Sequence, residues 1–410
     1  MHILIIHQAF ASLEEPGGTR HFEFARLLAA RGHQVTVIAS PVSYITGAPS
    51  RSRQFPPKTG EGQAGVSILR AAVYSAHHRS FLHRVLAFLS FMFSSFWIGL
   101  GIRNVDLVWG TSPPIFQGAT AWALARLKGA RFLFEVRDLW PQFAIAVGVL
   151  KIPVLISASE WLEHFLYRRA DQVLVNSPGF TEHVRAGGAK KVDLVPNGAD
   201  PSMFDPANEG TEFRRANRLE DKFVALYAGA HGLSNDLDLV LDAAILLRDV
   251  KVQVVLVGDG KEKPALQRRA VELGLQNVTF VPSVPKSEMP NVLAAADACI
   301  AILKPLDEYK TTYPNKVFDY MAAGRPVVLA IDGVIRDVVD AAGCGVFAKP
   351  GDPKTLADAI CSLSDDPLRS RQMGKKGRKY LEEHFSRDKV AEKLVNLLEE
   401  MEGRSKYSAP

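Results

Sequence analysis

Two series of short apolar runs constrain the fold of this chain more than any other feature. The first half contains ILIIH, QVTVIAS, DLVWG, RFLFEV and QVLVNS, and the second contains FVALYAG, VQVVLVGDG, NVTFVPS, ACIAIL and PVVLAI. Continuous Val, Ile and Leu runs that alternate with helical patterns indicate parallel strands buried on both faces. Because the alternation occurs twice, the sequence predicts an α/β protein with two doubly wound, Rossmann-like domains.

The boundary between these domains is predicted from a polar segment. Residues Asp205 to Asp221 lack strand character and separate the two series of strands. We therefore predict an N-terminal domain over 1–205 and a C-terminal domain over 206–386. A length of 410 residues is comfortable for two domains.

Composition narrows the class of protein and its surroundings. The chain is 47% hydrophobic and has a net charge of +5, and its basic excess lies in residues 1–205. This asymmetry favours an anionic membrane surface or an acidic substrate on the first domain, although ordinary solubility explains it equally well. Three scattered cysteines (Cys299, Cys344, Cys361) show neither metal nor disulfide spacing, which favours a reducing compartment. We read MHILIIHQAF as a first strand rather than a signal peptide, and we expect no nucleic-acid partner.

Residues 85–102 depart from the α/β rhythm because they carry no charge. Their length would suit a transmembrane helix, but a single crossing would place strands of one sheet on opposite sides of a bilayer. We therefore predict a monotopic helix that inserts its aromatic side chains Phe91, Phe93, Phe96 and Trp97 into one leaflet. The alternative is a helix buried in the core.

Glycine-rich loops follow strands in both halves and are candidate anion sites. Gly17 and Gly18 precede a helix that begins near Arg20, where backbone N–H groups and the helix dipole attract anions. A simple turn is an equal alternative for this loop. In the second half, His231 and Gly232 follow a strand at the edge where open α/β sheets bind ligands.

Two carboxylates in the second half raise the question of a metal. Asp236 and Asp238 form a DxD sequence, which we interpret as the acidic first turn of a helix. Other clusters with metal-ligand spacing are absent from the sequence, so we expect neither a metal nor another cofactor.

The stretch YPNKVFDYMAAGRPVVLA is the most informative in the sequence. It predicts a short helix that begins after Pro314, ends at Gly324 and returns directly to a strand. Free N–H groups near Thr312 and Asn315 are expected to bind a diphosphate, with Lys316 as a point charge. Asp319, one turn later, suits the ribose diol of a nucleotide.

Taken together, these segments resemble the GT-B glycosyltransferases of family 4, and most closely the WbuB-like bacterial sugar transferases. The resemblance covers nearly the whole chain and is carried by GGTRHFEFARLLAARGHQVTV, SPP, FEVRDLWP, YRRADQVLVNSPGF, VPNGADPSMF, GDGKEKPAL and PNKVFDYMAAGRPVV. It implies sugar transfer from a nucleotide diphosphate sugar, usually with retention and without a metal. It also implies an interdomain cleft, with the donor mainly on the C-terminal domain and the acceptor on the N-terminal domain. By analogy with this fold, the final helix (387–402) is expected to pack on the N-terminal domain.

The chain departs from the family pattern at two places. The family's acid that reaches the donor sugar is replaced by Thr311, and nearby Glu308 is out of register. The loop after the first C-domain strand has His231 where many relatives have an Arg and a Lys. We expect Lys316 to supply the missing positive charge. Further candidates for donor binding are Lys263, Lys304 and Ser283.

The stretch FLFEVRDLWP ends a strand in three charges, Glu135, Arg137 and Asp138. The resemblance places this end beneath the donor sugar, where relatives often carry a His-Asp pair. Asp138 is therefore a candidate base or orienting group for the acceptor hydroxyl, although the donor's own phosphate is an alternative base. Glu135 and Arg137 point to the same side of an ideal strand, so an ion pair between them is a second interpretation.

The leading hypothesis is a retaining glycosyltransferase at the cytoplasmic face of the bacterial inner membrane. The resemblance implies a UDP-sugar donor, with an N-acetylated 6-deoxyhexosamine such as L-fucosamine, and a lipid-linked saccharide acceptor in O-antigen or capsule synthesis. Two alternatives stay open: a nucleotide-sugar 2-epimerase of the same fold, and a non-catalytic sugar-nucleotide binder.

Overall fold

A computed structural model describes residues 1–43, 65–74 and 81–406, without the side chains of residues 81, 82, 84 and 404–406. The chain forms two compact units. The first comprises Met1–Pro196 and the segment from Val390 onward, and the second comprises Asn197–Lys389. Each unit contains one parallel sheet with helices between its strands. The prediction of two doubly wound α/β domains is therefore confirmed.

The sheet of the first unit has seven strands in the order β3-β2-β1-β4-β5-β6-β7. The strands are β1 (His2–Ile6), β2 (Gln34–Ala39), β3 (Val66–Arg70), β4 (Leu107–Ser112), β5 (Arg131–Val136), β6 (Gln172–Val175) and β7 (Val192–Leu194). The helices are α1 (Arg20–Ala30), α2 (Phe81–Gly101), α3 (Phe116–Lys128), α4 (Gln142–Ala146), α5 (Pro153–Arg169) and α6 (Thr181–Ala186). Every residue of β1 and β4 is buried, as the continuous apolar runs require.

The sheet of the second unit has six strands in the order β10-β9-β8-β11-β12-β13. The strands are β8 (Phe223–Ala228), β9 (Val252–Val257), β10 (Val278–Val281), β11 (Ala298–Ile302), β12 (Val327–Ala330) and β13 (Gly345–Phe347). The helices are α7 (Thr211–Ala216), α8 (Leu237–Leu246), α9 (Lys263–Glu272), α10 (Met289–Ala294), α11 (Asn315–Ala322), α12 (Val334–Ala342), α13 (Pro353–Ser364) and α14 (Pro367–His384). Asp238 lies in the first turn of α8, where it pairs with Arg269 at 2.8 Å.

The strand order reverses between β1 and β4 in one sheet and between β8 and β11 in the other. At such a point the connections leave in opposite directions and open a crevice outside the carboxyl ends of the strands. This geometry places the candidate site of each unit at the end of its central strands.

The last helix, α15 (Arg387–Lys406), completes the core of the first unit. Val390, Leu394 and Leu398 are fully or almost fully buried, in one cluster with apolar residues of β1 and β2. Their spacing of four places them on one face of the helix. The first unit therefore depends on residues that are distant in the sequence.

Helix α2 is half-buried, so neither interpretation of residues 85–102 describes it fully. Ala87, Phe91, Ser95 and Gly99 form a buried stripe, and a Cβ at Gly99 would lie 2.4 Å from Leu124 of α3. The prediction that Phe91 faces a membrane is therefore wrong, because this side chain lies on the packed face. Phe93 and Trp97 are 61% and 69% exposed. Across the described ranges, no helix combines the length and apolar character needed to cross a bilayer.

Replacing Leu394 with Ala should destabilise the first unit by about 2–5 kcal/mol, because it leaves a cavity in a core built from both ends of the sequence. Thermal unfolding followed by circular dichroism measures the effect. Lys393→Ala, on the exposed face of the same helix, is the matched control and should change the midpoint little. Equal midpoints for the two variants would contradict the packing described for α15.

Candidate functional site

The candidate site of the second unit is built on two interlocked glycine loops. Gly229 follows β8, and Gly258 and Gly260 follow β9, with φ angles of 156°, 150° and 156°. A Cβ at Gly258 would lie 1.8 Å from the carbonyl oxygen of Gly229, and a Cβ at Gly260 would lie 2.4 Å from that of His231. Only glycine permits this approach of backbone to backbone. The loops therefore present main-chain groups at the carboxyl edge of the sheet.

Lys316 lies at the centre of this edge, in the first turn of α11. Its Nζ atom is 2.8 Å from the Tyr227 hydroxyl and 3.2 Å from Oδ1 of Asn235, and it lies 4.0 Å from the centre of the Tyr227 ring. No carboxylate pairs with it in the described part of the chain. Burial lowers the pKa of Lys316 from 10.5 to about 7. A buried ammonium without an opposite charge is costly, and an anionic ligand would relieve this cost.

His231 is a second buried polar group at this edge. It is completely buried, and within the described residues neither ring nitrogen has a hydrogen-bond partner. Burial lowers the pKa of His231 to about 4, and the charges of Lys263 and Lys316 act in the same direction. The ring is therefore neutral at pH 7, so it can offer a neutral donor or acceptor but no positive charge.

Asp319 is held by a lysine that the sequence did not single out. The Nζ atom of Lys286, in the loop after β10, lies 2.6 Å from Oδ1 of Asp319. The side-chain amide of Asn315 donates to Oδ2 of Asp319 over a longer 3.4 Å. The side chain of Lys286 also lies 5.8 Å from the Phe204 ring centre. The carboxylate is thus oriented at the start of α11, with one oxygen only weakly engaged.

The other predicted donor-binding residues lie around the same edge, with different roles. Lys263 donates to the carbonyl oxygens of Gly258 and Val281, at 2.7 Å and 3.1 Å, and so ties two strand ends together. The Thr312 hydroxyl donates to the carbonyl of Tyr309 at 2.9 Å. Lys304 follows β11, Ser283 follows β10, and Gly232 precedes a short turn at Leu233–Asn235. The structure thus brings these residues to the ends of neighbouring strands.

Glu135, the first charge of FLFEVRDLWP, belongs to a buried network in the first unit. Glu135 is fully buried, and it accepts from Nε of Arg20 at 2.8 Å while lying 2.5 Å from Nε2 of His21. Burial opposes ionisation of Glu135, but the neighbouring His21 and Arg20 hold its pKa well below the usual value. The structure therefore gives Glu135 partners from α1, instead of the ion pair with Arg137 that strand geometry suggested.

Arg137 points toward a small cavity at the end of β5. Its Nε atom donates to the carbonyl of Ser112 at 3.1 Å, and one terminal nitrogen lies 3.3 Å from Nε2 of His7. The guanidinium lines a cavity of 120 Å³ together with Gly17 and Gly18. A Cβ at Gly18 would meet nothing within 4 Å. The Gly17–Gly18 loop and the Arg137 guanidinium therefore line the same cavity.

Asp138 is exposed at the end of the same strand. Surrounding protein raises the pKa of Asp138 to about 6, and the charge of Arg137 opposes this rise. A carboxylate with raised basicity suits proton abstraction near neutral pH.

Sequence reasoning missed several partners of these groups. Tyr227 and Asn235 hold Lys316, Lys286 holds Asp319, and Arg20 and His21 hold Glu135. The one available signal was that Arg20 and His21 lie two and three residues after Gly18. The other pairs join positions 33 to 89 residues apart, which no local pattern reveals. No three His, Cys, Asp or Glu side chains gather as metal ligands in the described ranges.

Two family models match the chain. "Glycosyl transferase 4-like domain" matches residues 17–198, and "Glycosyl transferases group 1" matches residues 222–366. WcaI of Escherichia coli K12, named as a colanic acid biosynthesis glycosyl transferase, is 26% identical over 325 residues, covering 76% of this chain and 78% of its own. WbjE of Pseudomonas aeruginosa, a glycosyltransferase by name, is 24% identical and covers 78% of this chain and 80% of its own.

A solved structure shares the fold over nearly the full length. HepE of Anabaena, crystallised with UDP, has a TM-score of 0.71 at 16% identity, and the match covers 98% of this chain and all of HepE. Two parallel-sheet units and this likeness define a GT-B fold. The chain belongs to the glycosyltransferases of family 4 and is an enzyme of that class, which confirms the family prediction.

Replacing Lys316 with Met should raise the melting temperature of the ligand-free protein by about 2 °C or more, because a desolvated amine without a carboxylate partner in the described residues becomes an apolar group of similar shape. Calorimetry at pH 7 measures the midpoint, and Lys379→Met, at an exposed lysine of α14, is the control.

The pH dependence provides an independent check. Between about pH 7 and 10 an unfolded lysine is protonated while Lys316 in the folded state is not, so the stability of the wild type should rise with pH in this window. Lys316→Met should lose that contribution. A variant less stable than the wild type at every pH would contradict this assignment.

Proposed function

We propose that this glycosyltransferase transfers a sugar from a UDP-sugar to a lipid-linked saccharide during the synthesis of a bacterial surface polysaccharide. The observation that carries the proposal is Lys316, a half-buried and desolvated lysine without a carboxylate partner among the described residues at the carboxyl edge of the second sheet. The name of WcaI supports the polysaccharide class, and the UDP complex of HepE supports the nucleotide.

The donor diphosphate would lie at the start of α11. The helix has no side-chain cap at its N-terminus, so its first N–H groups are available to oxygen ligands. Lys316 lies in the first turn and would neutralise part of the diphosphate charge as the leaving group departs. The neutral His231 ring, with two unpartnered nitrogens, would hydrogen-bond the same groups or the sugar. Lys316 and His231 would thereby take the place of the Arg and the Lys that the loop after β8 lacks.

The nucleoside would be recognised by Asp319. A carboxylate accepts hydrogen bonds from both hydroxyls of a ribose, and Oδ2 of Asp319 has only a long contact with Asn315. Lys286 fixes the other oxygen and so sets the orientation of the carboxylate. Ser283, in the loop that also bears Lys286, would contact the base through its backbone.

The acceptor would be positioned by the first unit. Asp138 would orient or deprotonate its hydroxyl, and the raised pKa of this carboxyl supports that role. Arg137 and the Gly17–Gly18 loop would bind an anionic group in their shared cavity. In a retaining reaction the departing phosphate is the alternative base. Glu135 would act indirectly, by fixing Arg20 and His21 beneath the loop.

Location follows from the nature of a lipid-linked acceptor. Exposed Phe93 and Trp97 of α2 would lie in the interface of the cytoplasmic leaflet, within the predicted segment 85–102.

The sugar would be an N-acetylated 6-deoxyhexosamine such as L-fucosamine. No observation in the described residues favours an epimerase or a non-catalytic binder.

UDP should bind the wild type and raise its melting temperature, whereas Lys316→Met should lose at least tenfold in UDP affinity despite its higher intrinsic stability. Titration calorimetry at pH 7.5 and pH 9.5 should show tighter UDP binding at pH 7.5, since the diphosphate is ionised at both values while Lys316 is protonated in a larger fraction at pH 7.5. Lys379→Met is the control. A wild type that binds GDP but not UDP would refute the nucleotide assignment.

Asp138→Asn should lower turnover by a factor of about 10² or more while leaving UDP affinity within about twofold, because the variant keeps the shape but not the basicity. In the wild type, kcat should fall below about pH 6, where the carboxyl of Asp138 becomes protonated. Radiolabelled sugar transfer to a membrane extract measures both effects. Full activity in the Asn variant would assign the proton transfer to the donor phosphate.

A further inference from the structure

The outer face of α5 has an unusual composition for a surface helix. Its inner face buries Glu163, Leu166 and Tyr167. The residues that point the opposite way, at helical spacing, are Val154, Ser157, Ala158, Trp161, Phe165, Arg168 and Arg169. Val154 is 76% exposed and Trp161 is 65% exposed. A helix on a soluble surface normally exposes a polar face, whereas this one exposes apolar residues that end in two arginines.

The same face carries no negative charge. Of the two carboxylates in α5, which the structure describes completely, Glu163 is buried and bonded to the Tyr167 hydroxyl at 2.7 Å and to His183 at 3.0 Å. At about 100° per residue, Glu160 lies on the flank, roughly 120° from Val154 around the helix axis. The outer face is thus apolar along its first turns and cationic at its end.

A groove on this face combines aromatic and cationic walls. It has a volume of 170 Å³ and is lined by Trp161, His164, Phe165, Arg168 and Arg169. The Trp161 and Phe165 rings stack at 5.4 Å, and the guanidinium carbon of Arg169 lies 5.7 Å from the Phe165 ring centre. Indole and guanidinium groups side by side suit the boundary between acyl chains and phosphate headgroups.

The outer face of α5 lies near the exposed apolar side chains of α2 and α3. Helix α3 packs against both α2 and α5, and Trp122 of α3 meets Phe165 edge-on at 4.7 Å. Leu127 at the end of α3 is also exposed. Exposed apolar side chains therefore occur on three helices that lie side by side in the first unit, and the arginines occur on α5.

We propose that the outer face of α5, residues 152–169, is a membrane-contact surface that binds an anionic phospholipid bilayer, with Trp161 in the interface and Arg168 and Arg169 on lipid phosphates. The inference rests on the proposed membrane contact of α2 for its setting, and it assigns the preference for negative lipid to a different helix. The occupant is a bilayer and not a protein because the face combines a tryptophan, aliphatic side chains and cations without a carboxylate.

Vesicle flotation of the full chain tests this proposal. The wild type should bind vesicles of phosphatidylcholine with 30% phosphatidylglycerol much more tightly than vesicles of phosphatidylcholine alone. Trp161→Ser with Arg168→Gln and Arg169→Gln should lower the partition coefficient on anionic vesicles by roughly 20-fold or more, since each arginine near the surface contributes about fivefold. The matched control is Val271→Ser with Lys375→Gln and Lys376→Gln, which removes the same charge from exposed positions on α9 and α14 of the second unit.

The possible outcomes distinguish a failure of the α5 membrane proposal from a failure of the UDP-site proposal. A triple variant that binds anionic vesicles as the wild type does would overturn the proposal, as would equal losses in the triple variant and the control. UDP titration of the same variants should give unchanged affinity. If UDP fails to bind the wild type while vesicle binding depends on α5, the donor assignment fails and the membrane surface stands. A Phe93→Ser and Trp97→Ser variant that keeps its preference for anionic vesicles would further support α5 as its source.

Discussion

A parallel sheet buried on both faces imposes a single arrangement on the chemistry of this enzyme. Because each strand must return through a helix, all strands of a sheet end at the same edge. In the second unit that edge gathers His231, Lys316 and Asp319. In the first unit it gathers the Gly17–Gly18 loop, Arg137 and Asp138. The candidate site residues therefore lie just beyond the strand ends, where backbone N–H and C=O groups no longer pair within the sheet.

Much of this arrangement could be predicted from the sequence, because it depends on local pattern. Apolar runs placed the strands, and YPNKVFDYMAAG placed Lys316 and Asp319 at the start of a helix. The partners of these groups could not be predicted, because they are fixed by tertiary packing. Glu135 meets Arg20 across 115 positions, and Lys286 reaches Asp319 from the loop of another strand. Strand geometry suggested Arg137 for Glu135, but the side chains that contact this carboxylate are Arg20 and His21 of α1.

Glu135 and Lys316 differ in whether neighbouring residues compensate their charge. Glu135 has a cationic partner in Arg20 and a hydrogen-bonding partner in His21, both from the first turn of α1, so its charge is compensated without a ligand. Among the described residues, Lys316 contacts a hydroxyl, an amide and an aromatic ring but no carboxylate. Its environment tolerates the neutral amine better than the ammonium. The charge of Glu135 is thus compensated by the protein itself, whereas Lys316 has no counter-charge in the described residues.

The last helix has a consequence for how the protein is made. Residues of α15 complete the core around β1 and β2, yet they leave the ribosome after the entire second unit. The second unit has its own continuous chain and can close while synthesis continues. The first unit emerges earlier but has to wait, with the apolar surface of its opening strands uncovered. The unit whose synthesis begins first is therefore the one whose core is completed last.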